Sequence, residues 1–208
     1  MSLKTPIVIL AAGSFPTHHV PLATIDNAGT LICCDAAADQ LLTQDLTPDI
    51  VIGDLDSLGS EAKAAFADRL ISRPSQSLGD LEKAVEWAVE AGAGEITVVG
   101  MTGLRDDHAL GNLLLLFHDF GTAIAAQTDT GRFSVVRERR HFDSFPGQPV
   151  ALFPENRDVA ITTQGLAYDI TGEALPVLHR GTSNASVGTA FSVEAQGGAV
   201  LVYTGYSD

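Results

Sequence analysis

Asp49-Ile50-Val51-Ile52-Gly53-Asp54-Leu55-Asp56-Ser57 places a short aliphatic run directly before a glycine and two carboxylates separated by one residue. A charge-free, branched run ending in Gly-Asp reads as a buried strand that stops in a polar loop. The same pattern recurs on either side of it. Pro6–Ala11, Thr30–Cys34, Glu95–Val99 and Thr122–Ala126 are further short apolar runs bounded by Gly, Pro or Asp. Helical patterns lie between them. Asp80–Ala91 carries Leu81, Ala84, Val85, Ala88 and Val89 on one stripe, with Glu82, Lys83, Glu86 and Glu90 facing away, and Gly92 and Gly94 stop it. Asp106–Asp119 has Leu110, Leu113, Leu114 and Phe117 in phase. Strand and helix in alternation predict an α/β domain with a doubly wound, mostly parallel sheet.

The pattern changes after about Gln127. Ser134–Arg137, Gln148–Phe153, Val159–Thr163, Leu166–Ile170, Ala190–Glu194 and Ala199–Tyr203 are short β-type segments separated by Gly, Pro, Asn and Asp, with no room for a helix of useful length. The expectation is an all-β C-terminal half, a small sandwich or barrel. The domains are placed at 1–128 and 129–208.

The 208 residues hold 12 Lys+Arg against 26 Asp+Glu, a net charge of −14, with 45% hydrophobic residues. That is a globular composition with enough chain to bury a core. The charge argues against nucleic-acid polymers and anionic membranes, which this surface would repel. A nucleotide is still admissible if metal ions sit between the charges. Residues 1–125 contain 17 of the acids and 6 of the bases, so the excess belongs to the first half. Cys33 and Cys34 are adjacent in an apolar run and read as small packed hydrophobes. No basic segment leads into an apolar stretch at the start, and no apolar run approaches 18 residues, which is the expectation for a soluble cytoplasmic protein.

Ligands of a doubly wound sheet bind beyond the carboxyl ends of its strands. Asp35 follows one strand and Asp54-Leu55-Asp56 another; Asp80 and the segment Gly100–His108 complete four loops that bring Asp side chains to one sheet edge. Singly, each has an ordinary reading. Asp80, Asp106 and Asp107 stand where helix caps belong, Asp54-x-Asp56 could be a solvated turn, and His108 a hydrogen-bonded helix start. Together they suit one chemistry. Asp54 and Asp56 offer hard oxygen ligands for Mg²⁺, and Asp80 could complete that shell. Helix N-termini and Arg105 would take phosphate oxygens, and one Asp would orient an attacking alcohol or accept its proton. The residues therefore describe a Mg²⁺-dependent phosphoryl or pyrophosphoryl transferase.

With these segments laid out, the chain resembles the thiamine pyrophosphokinase (thiamine diphosphokinase) family. Cys34-Asp35-Ala36-Ala37-Ala38-Asp39 is similar to its Asp-Gly-Gly-Ala-Asn segment, and residues 48–57 to Pro-Asp-x-x-x-Gly-Asp-x-Asp-Ser. Asp80-Leu81-Glu82-Lys83-Ala84 resembles its Thr-Asp-x-x-Lys-Ala helix start, and Gly100–Asn112 its Gly-x-x-Gly-Gly-Arg-x-Asp-His-x-x-x-Asn segment. Gly165-Leu166-Ala167-Tyr168 and Thr182-Ser183-Asn184 are similar to Gly-Leu-x-Trp and Ser-Asn. The resemblance implies a C-terminal β-sandwich, a homodimer with active sites between subunits, and transfer of pyrophosphate from ATP to thiamine, giving thiamine diphosphate and AMP. Asp54, Asp56 and Asp80 would hold Mg²⁺ and the triphosphate. Asp35 would lie at the nucleotide or hydroxyl end, Arg105 on phosphate and Asp107 beside the thiamine hydroxyl. Gln76, Lys83, Gly103, His108 and Asn112, within or beside the matched segments, would serve the ATP side. Tyr168 would stack on thiamine, with Ser183 and Asn184 shaping that pocket.

Ala36-Ala37, Ser77, Gly79 and Leu104 depart from the family pattern, and Tyr168 stands where Trp is usual. Two rivals are carried: an Asp-x-Asp phosphatase using Asp54 as nucleophile, and a non-catalytic thiamine- or nucleotide-binding regulator. Against the first, position 58 is Leu and the strand is third in the chain. Against the second, no basic patch or DNA-binding helix accompanies the motif.

Overall fold

Charge-free aliphatic runs form the central strands in the computed structural model, which describes residues 2–75 and 77–207. The chain clusters into two units, Met1–Asp129 and Thr130–Asp208. In the first, the order is β1 (Ile7–Leu10), α1 (His19–Asp26), β2 (Thr30–Cys34), α2 (Ala37–Thr43), β3 (Ile50–Gly53), α3 (Ser60–Ala65) and β4 (Leu70–Ser72). There follow α4 (Asp80–Glu90), β5 (Glu95–Val99), α5 (Asp106–Leu115) and β6 (Ala123–Gln127). All five strand pairings are parallel, in the sheet order β6-β5-β1-β2-β3-β4. Every residue of β1, β2 and β3 is buried, because helices cover both faces of a parallel sheet. Strand order reverses between β1 and β5, so the topological switch point lies there.

Several elements carry no strong sequence signal. α2 and α3 have 7 and 6 residues, and β4 has 3, too few for a periodic pattern to emerge. α1 is started by the His18 imidazole, which accepts the Val20 N–H at 3.2 Å. α5 differs from its expected form. It ends at Leu115 rather than Asp119, and none of its residues is buried. Four consecutive leucines at 113–116 cannot share one helix face; Leu110 and Leu114 remain more than half exposed while Leu116, just beyond the helix, is buried. The chain leaves α5 through i→i−3 bonds from Leu116, Phe117 and His118.

The second unit contains β7 (Gly131–Val136), β8 (Arg139–Asp143), β9 (Pro149–Pro154), β10 (Ala160–Gln164), β11 (Thr171–Ala174), β12 (Asn184–Ala185), β13 (Ala190–Gln196) and β14 (Val200–Gly205). One antiparallel layer runs β12-β9-β14-β7 and the other β11-β10-β13-β8. Val136, Leu152 and Val202 of the first pack with Ile161, Phe191 and Val193 of the second, which makes a β-sandwich. Leu166–Ile170, expected as a strand, is instead the loop joining β10 to β11. The Asp169 carboxylate takes the N–H groups of Gly165 and Leu166 that a ladder would need, leaving a lone bridge from Leu166 to Ser186. The only helical turn among the described residues of this unit is a 3₁₀ segment at Leu178–Gly181. Among the described residues no helix is long and apolar enough to cross a membrane.

The sandwich core sets a stability expectation. Ile161→Ala, at a fully buried position, should cost about 2–5 kcal/mol, against about 0.5 kcal/mol or less for Val187→Ala at a 60% exposed one. Urea midpoints of the two variants check this; equal losses would contradict the assignment of the core.

Candidate active site

At the switch point, the loops after β1 and β5 touch backbone to backbone. Gly13 N–H donates to Gly100 O at 2.7 Å and Ser14 N–H to Thr102 O at 2.8 Å. A side chain at Gly13 would meet the Gly100 carbonyl oxygen at 2.5 Å, so glycine is required there. Beside this seam opens a cavity of about 540 Å³ whose lining includes Ala12, Asp80, Thr102, Arg105, His108 and Asn112. The Ala11–Ser14 loop ends a strand like the others but carries no acid, so nothing in its composition marks it as part of the site.

Asp35 directly follows β2, held by its N–H to Ile52 O at 2.8 Å. It is 1% exposed, and neither carboxylate oxygen has a hydrogen-bond partner among the described residues. Gly53 makes room for it, since a Cβ at that position would lie 2.7 Å from the Asp35 Cβ. Burial, with the charge of Asp80 second, pushes the Asp35 pKa up to about 6. The loop after β3 delivers two more carboxylates. Leu55 turns the chain with a left-handed φ of 65°, the Asp56 N–H meets Asp54 Oδ1 at 3.3 Å, and Ser57 Oγ donates to Asp56 Oδ1 at 2.9 Å. Asp39 takes the Gly59 N–H at 3.0 Å and anchors the far end of the loop. Oxygens of Asp35, Asp54 and Asp56 then lie within 4.8 Å of one another.

A buried, unpartnered carboxylate beside two others is costly without a cation. Three hard oxygen donors with no nitrogen or sulfur among them fit Mg²⁺. The expected set was Asp54, Asp56 and Asp80; the structure brings Asp35 together with Asp54 and Asp56. Asp80 Oδ1 accepts from Lys83 Nζ at 2.9 Å, and the same ammonium lies 3.6 Å from Asp54. Lys83 was expected to face away from the apolar stripe of α4, but it is 3% exposed. Burial works to lower its pKa; the hydrogen bond and charge of Asp80, then Asp54, outweigh that and raise it. Asp80 and Asp106 are the first residues of their helices, with Gly79 and Arg105 in the cap positions and no side-chain cap bond at either.

Arg105 and Asp107 form a two-point pair at the exposed start of α5, Nε to Oδ1 at 3.1 Å and Nη2 to Oδ2 at 2.6 Å. That hydrogen bonding holds the Asp107 pKa down to about 2. Asn112 Nδ2 donates to Met101 O at 3.1 Å and ties α5 to the loop. Gly103 has φ 101° and packs against Ser14. Gln76 lies outside the described residues. In the second unit, Tyr168, Ser183 and Asn184 line a cavity of about 390 Å³ together with Asp169 and Arg180, neither of which stood out in the sequence. Tyr168 is 73% exposed and Ser183 has φ 65°.

The first unit is thus a doubly wound α/β domain with a carboxylate cluster at the ends of β2 and β3 and a cavity at its switch point, and the second a sandwich with its own cavity. The chain belongs to the thiamin pyrophosphokinase family: residues 22–126 match the model of that family's catalytic domain and residues 131–203 that of its substrate-binding domain. The thiamine pyrophosphokinase of Bacillus subtilis (strain 168) is 30% identical over 151 residues, 69% of this chain and 65% of that protein, so the match spans just under two thirds of the relative. The crystal structure of thiamine pyrophosphokinase from Bacillus subtilis superposes with a TM-score of 0.82 at 19% identity, covering 97% of this chain and 100% of that one. The Geobacillus thermodenitrificans structure gives 0.82 at 23%, covering 97% and 98%, and the Candida albicans one 0.78 at 15%, covering 96% and 90%. At these identities the structural likeness establishes the fold.

The buried acid has a measurable signature. Its folded pKa of about 6 exceeds the ordinary aspartate value of about 3.9, so the folded protein holds a proton that the unfolded chain has released. Stability is therefore lost as pH rises through that window. Asp35→Asn should raise the melting temperature of metal-free protein at pH 8 by about 6–12 °C, with a smaller gain at pH 4.5. Mg²⁺ should raise the wild-type midpoint at pH 8 and leave that of the variant nearly unmoved. Scanning calorimetry checks both. A variant that melts lower than wild type at pH 8, or keeps the full Mg²⁺ response, would contradict the reading of this site.

Proposed function

We propose that this protein transfers the pyrophosphoryl group of ATP to the hydroxyethyl group of thiamine, releasing thiamine diphosphate and AMP. The observation that carries the reading is the convergence of Asp35, Asp54 and Asp56 at the carboxyl ends of β2 and β3 in a chain that matches both thiamin pyrophosphokinase domain models. Mg²⁺, when bound, would neutralise triphosphate charge and orient the transferred group. Asp35, Asp54 and Asp56 would hold it, with Asp80 at the edge of that shell. Lys83 keeps Asp54 and Asp80 close despite their like charge. Arg105 would exchange its pair with Asp107 for phosphate oxygens, a two-point partner of the same geometry. That exchange would free the Asp107 carboxylate to orient the thiamine hydroxyl. Asp80, Arg105, His108 and Asn112 around the cavity, with Gly103 and Gln76, belong to the nucleotide side of this reading.

The second domain, placed at 129–208, would hold thiamine. Its exposed Tyr168, beside Ser183 and Asn184 in a cavity, supports a stacking role toward an aromatic cation. The proposal includes a homodimer, for which Leu104, Leu110 and Leu114, each more than half exposed on the first unit, supply apolar surface to cover. It also includes a cytoplasmic setting, in keeping with two free buried cysteines.

Incubation with ATP, Mg²⁺ and thiamine followed by product identification tests the reaction. Thiamine diphosphate and AMP in equal amounts are expected. Thiamine monophosphate with ADP would overturn the pyrophosphoryl assignment, and absence of turnover would favour a binding regulator. Asp56→Asn should lower kcat about 100-fold or more while the fold persists by circular dichroism. Normal turnover in that variant would refute the role given to the carboxylates.

A further inference from the structure

Tyr168 is 73% exposed, yet both its backbone N–H and its carbonyl are hydrogen-bonded to a side chain. Two side chains, Asp169 and Asn184, hold the loop. Asp169 Oδ1 accepts from Thr163 Oγ1 at 2.9 Å and from the Leu166 N–H at 3.1 Å, while its Oδ2 accepts from the Gly165 N–H at 3.2 Å. Thr163 is 3% exposed, and its hydroxyl accepts the Ile170 N–H at 2.9 Å, closing the loop's two ends on one another. Asn184 Oδ1 accepts the Tyr168 N–H at 3.1 Å and the Ala185 N–H at 2.9 Å, while Asn184 Nδ2 donates to Tyr168 O at 2.8 Å. The carboxamide thus brackets the Tyr168 peptide on both its donor and its acceptor.

We propose that Asp169 and Asn184 are positioning residues that fix the Tyr168 ring as a platform for the aromatic rings of thiamine, an assignment that rests on the stacking reading above. An exposed aromatic on a mobile loop would lose rotamer and backbone freedom each time it captured a ligand; a loop ordered beforehand avoids that loss. The bonds to Asp169 are charge-assisted and hold the turn without any ligand present. Asn184 has three of its hydrogen bonds committed to backbone, so it acts through Tyr168 rather than as a direct thiamine contact.

The test uses the full-length protein with Asp169→Ala, Asp169→Asn, Asn184→Ala and Tyr168→Ala, reading the KM of thiamine and of ATP separately and the thiamine Kd by calorimetry. Asp169→Ala and Asn184→Ala should each raise the thiamine KM and Kd about tenfold, with the ATP KM within about twofold of wild type. Asp169→Asn keeps an Oδ1 for Thr163 and Leu166 and should recover most of the loss. The double variant of Tyr168→Ala with Asp169→Ala should be no worse than Tyr168→Ala alone, because the second residue has nothing left to position. Additive losses would mean that Asp169 touches thiamine itself and would overturn the assignment. So would a thiamine KM unchanged by Asp169→Ala and Asn184→Ala while Tyr168→Ala raises it, an outcome that leaves the stacking reading standing. An unchanged thiamine KM in Tyr168→Ala removes the stacking reading and the positioning assignment together.

Discussion

The Asp35 carboxylate is the constraint around which the first unit is arranged. It is buried at the end of β2 with neither oxygen hydrogen-bonded among the described residues, a state that folding alone disfavours. Surrounding features accommodate it rather than relieve it. Gly53 leaves the space its side chain fills, and the Asp54–Asp56 turn brings two further carboxylates to within 4.8 Å. Lys83 is drawn to Asp80 and Asp54, and among the described residues no ion pair joins it to Asp35. On the reading proposed above, a divalent ion bound among these carboxylates would offset that cost. Destabilising the free site in this way is a common cost of binding chemistry.

Position in the fold explains why these residues, scattered from 35 to 112, share one site. Parallel strands end at the same sheet edge, and the reversal of order between β1 and β5 opens a crevice between their loops. Glycine sets how close those loops come, since Gly13 packs directly on the Gly100 carbonyl. The carboxylates, the Arg105–Asp107 pair and the cavity beside them follow from that geometry. The sandwich works differently. Its core is complete within the unit, and its cavity depends on one ordered loop and on two side chains that spend their hydrogen bonds on backbone.

Much of this was legible in the sequence, for physical reasons. Buried parallel strands admit no charge, so β1, β2 and β3, and Ile96–Val99 within β5, stand out as aliphatic runs, and the acids that follow β2 and β3 mark the site edge. α4 announces itself through a full amphipathic stripe. The failures share one cause: local pattern cannot see tertiary partners. The stripe at Leu110, Leu113, Leu114 and Phe117 has the spacing of a core face, yet no residue of α5 is fully buried. Lys83 looked solvated because its neighbours on α4 are charged, whereas Asp54, nearly thirty residues away, helps draw it inward. Leu166–Ile170 has strand composition, but the Asp169 side chain competes for its N–H groups. Membership of Asp35 in the carboxylate cluster likewise depends on β2 and β3 lying side by side, which no spacing along the chain records.

The central claim is that Asp35, Asp54 and Asp56 form one divalent-cation site. Anomalous diffraction from crystals grown with Mn²⁺ tests it most directly. The expected result is a peak coordinated by oxygens of all three carboxylates, lost in Asp35→Asn crystals. A peak bound only elsewhere, or none at these residues with Asp35 still unpartnered, would contradict it.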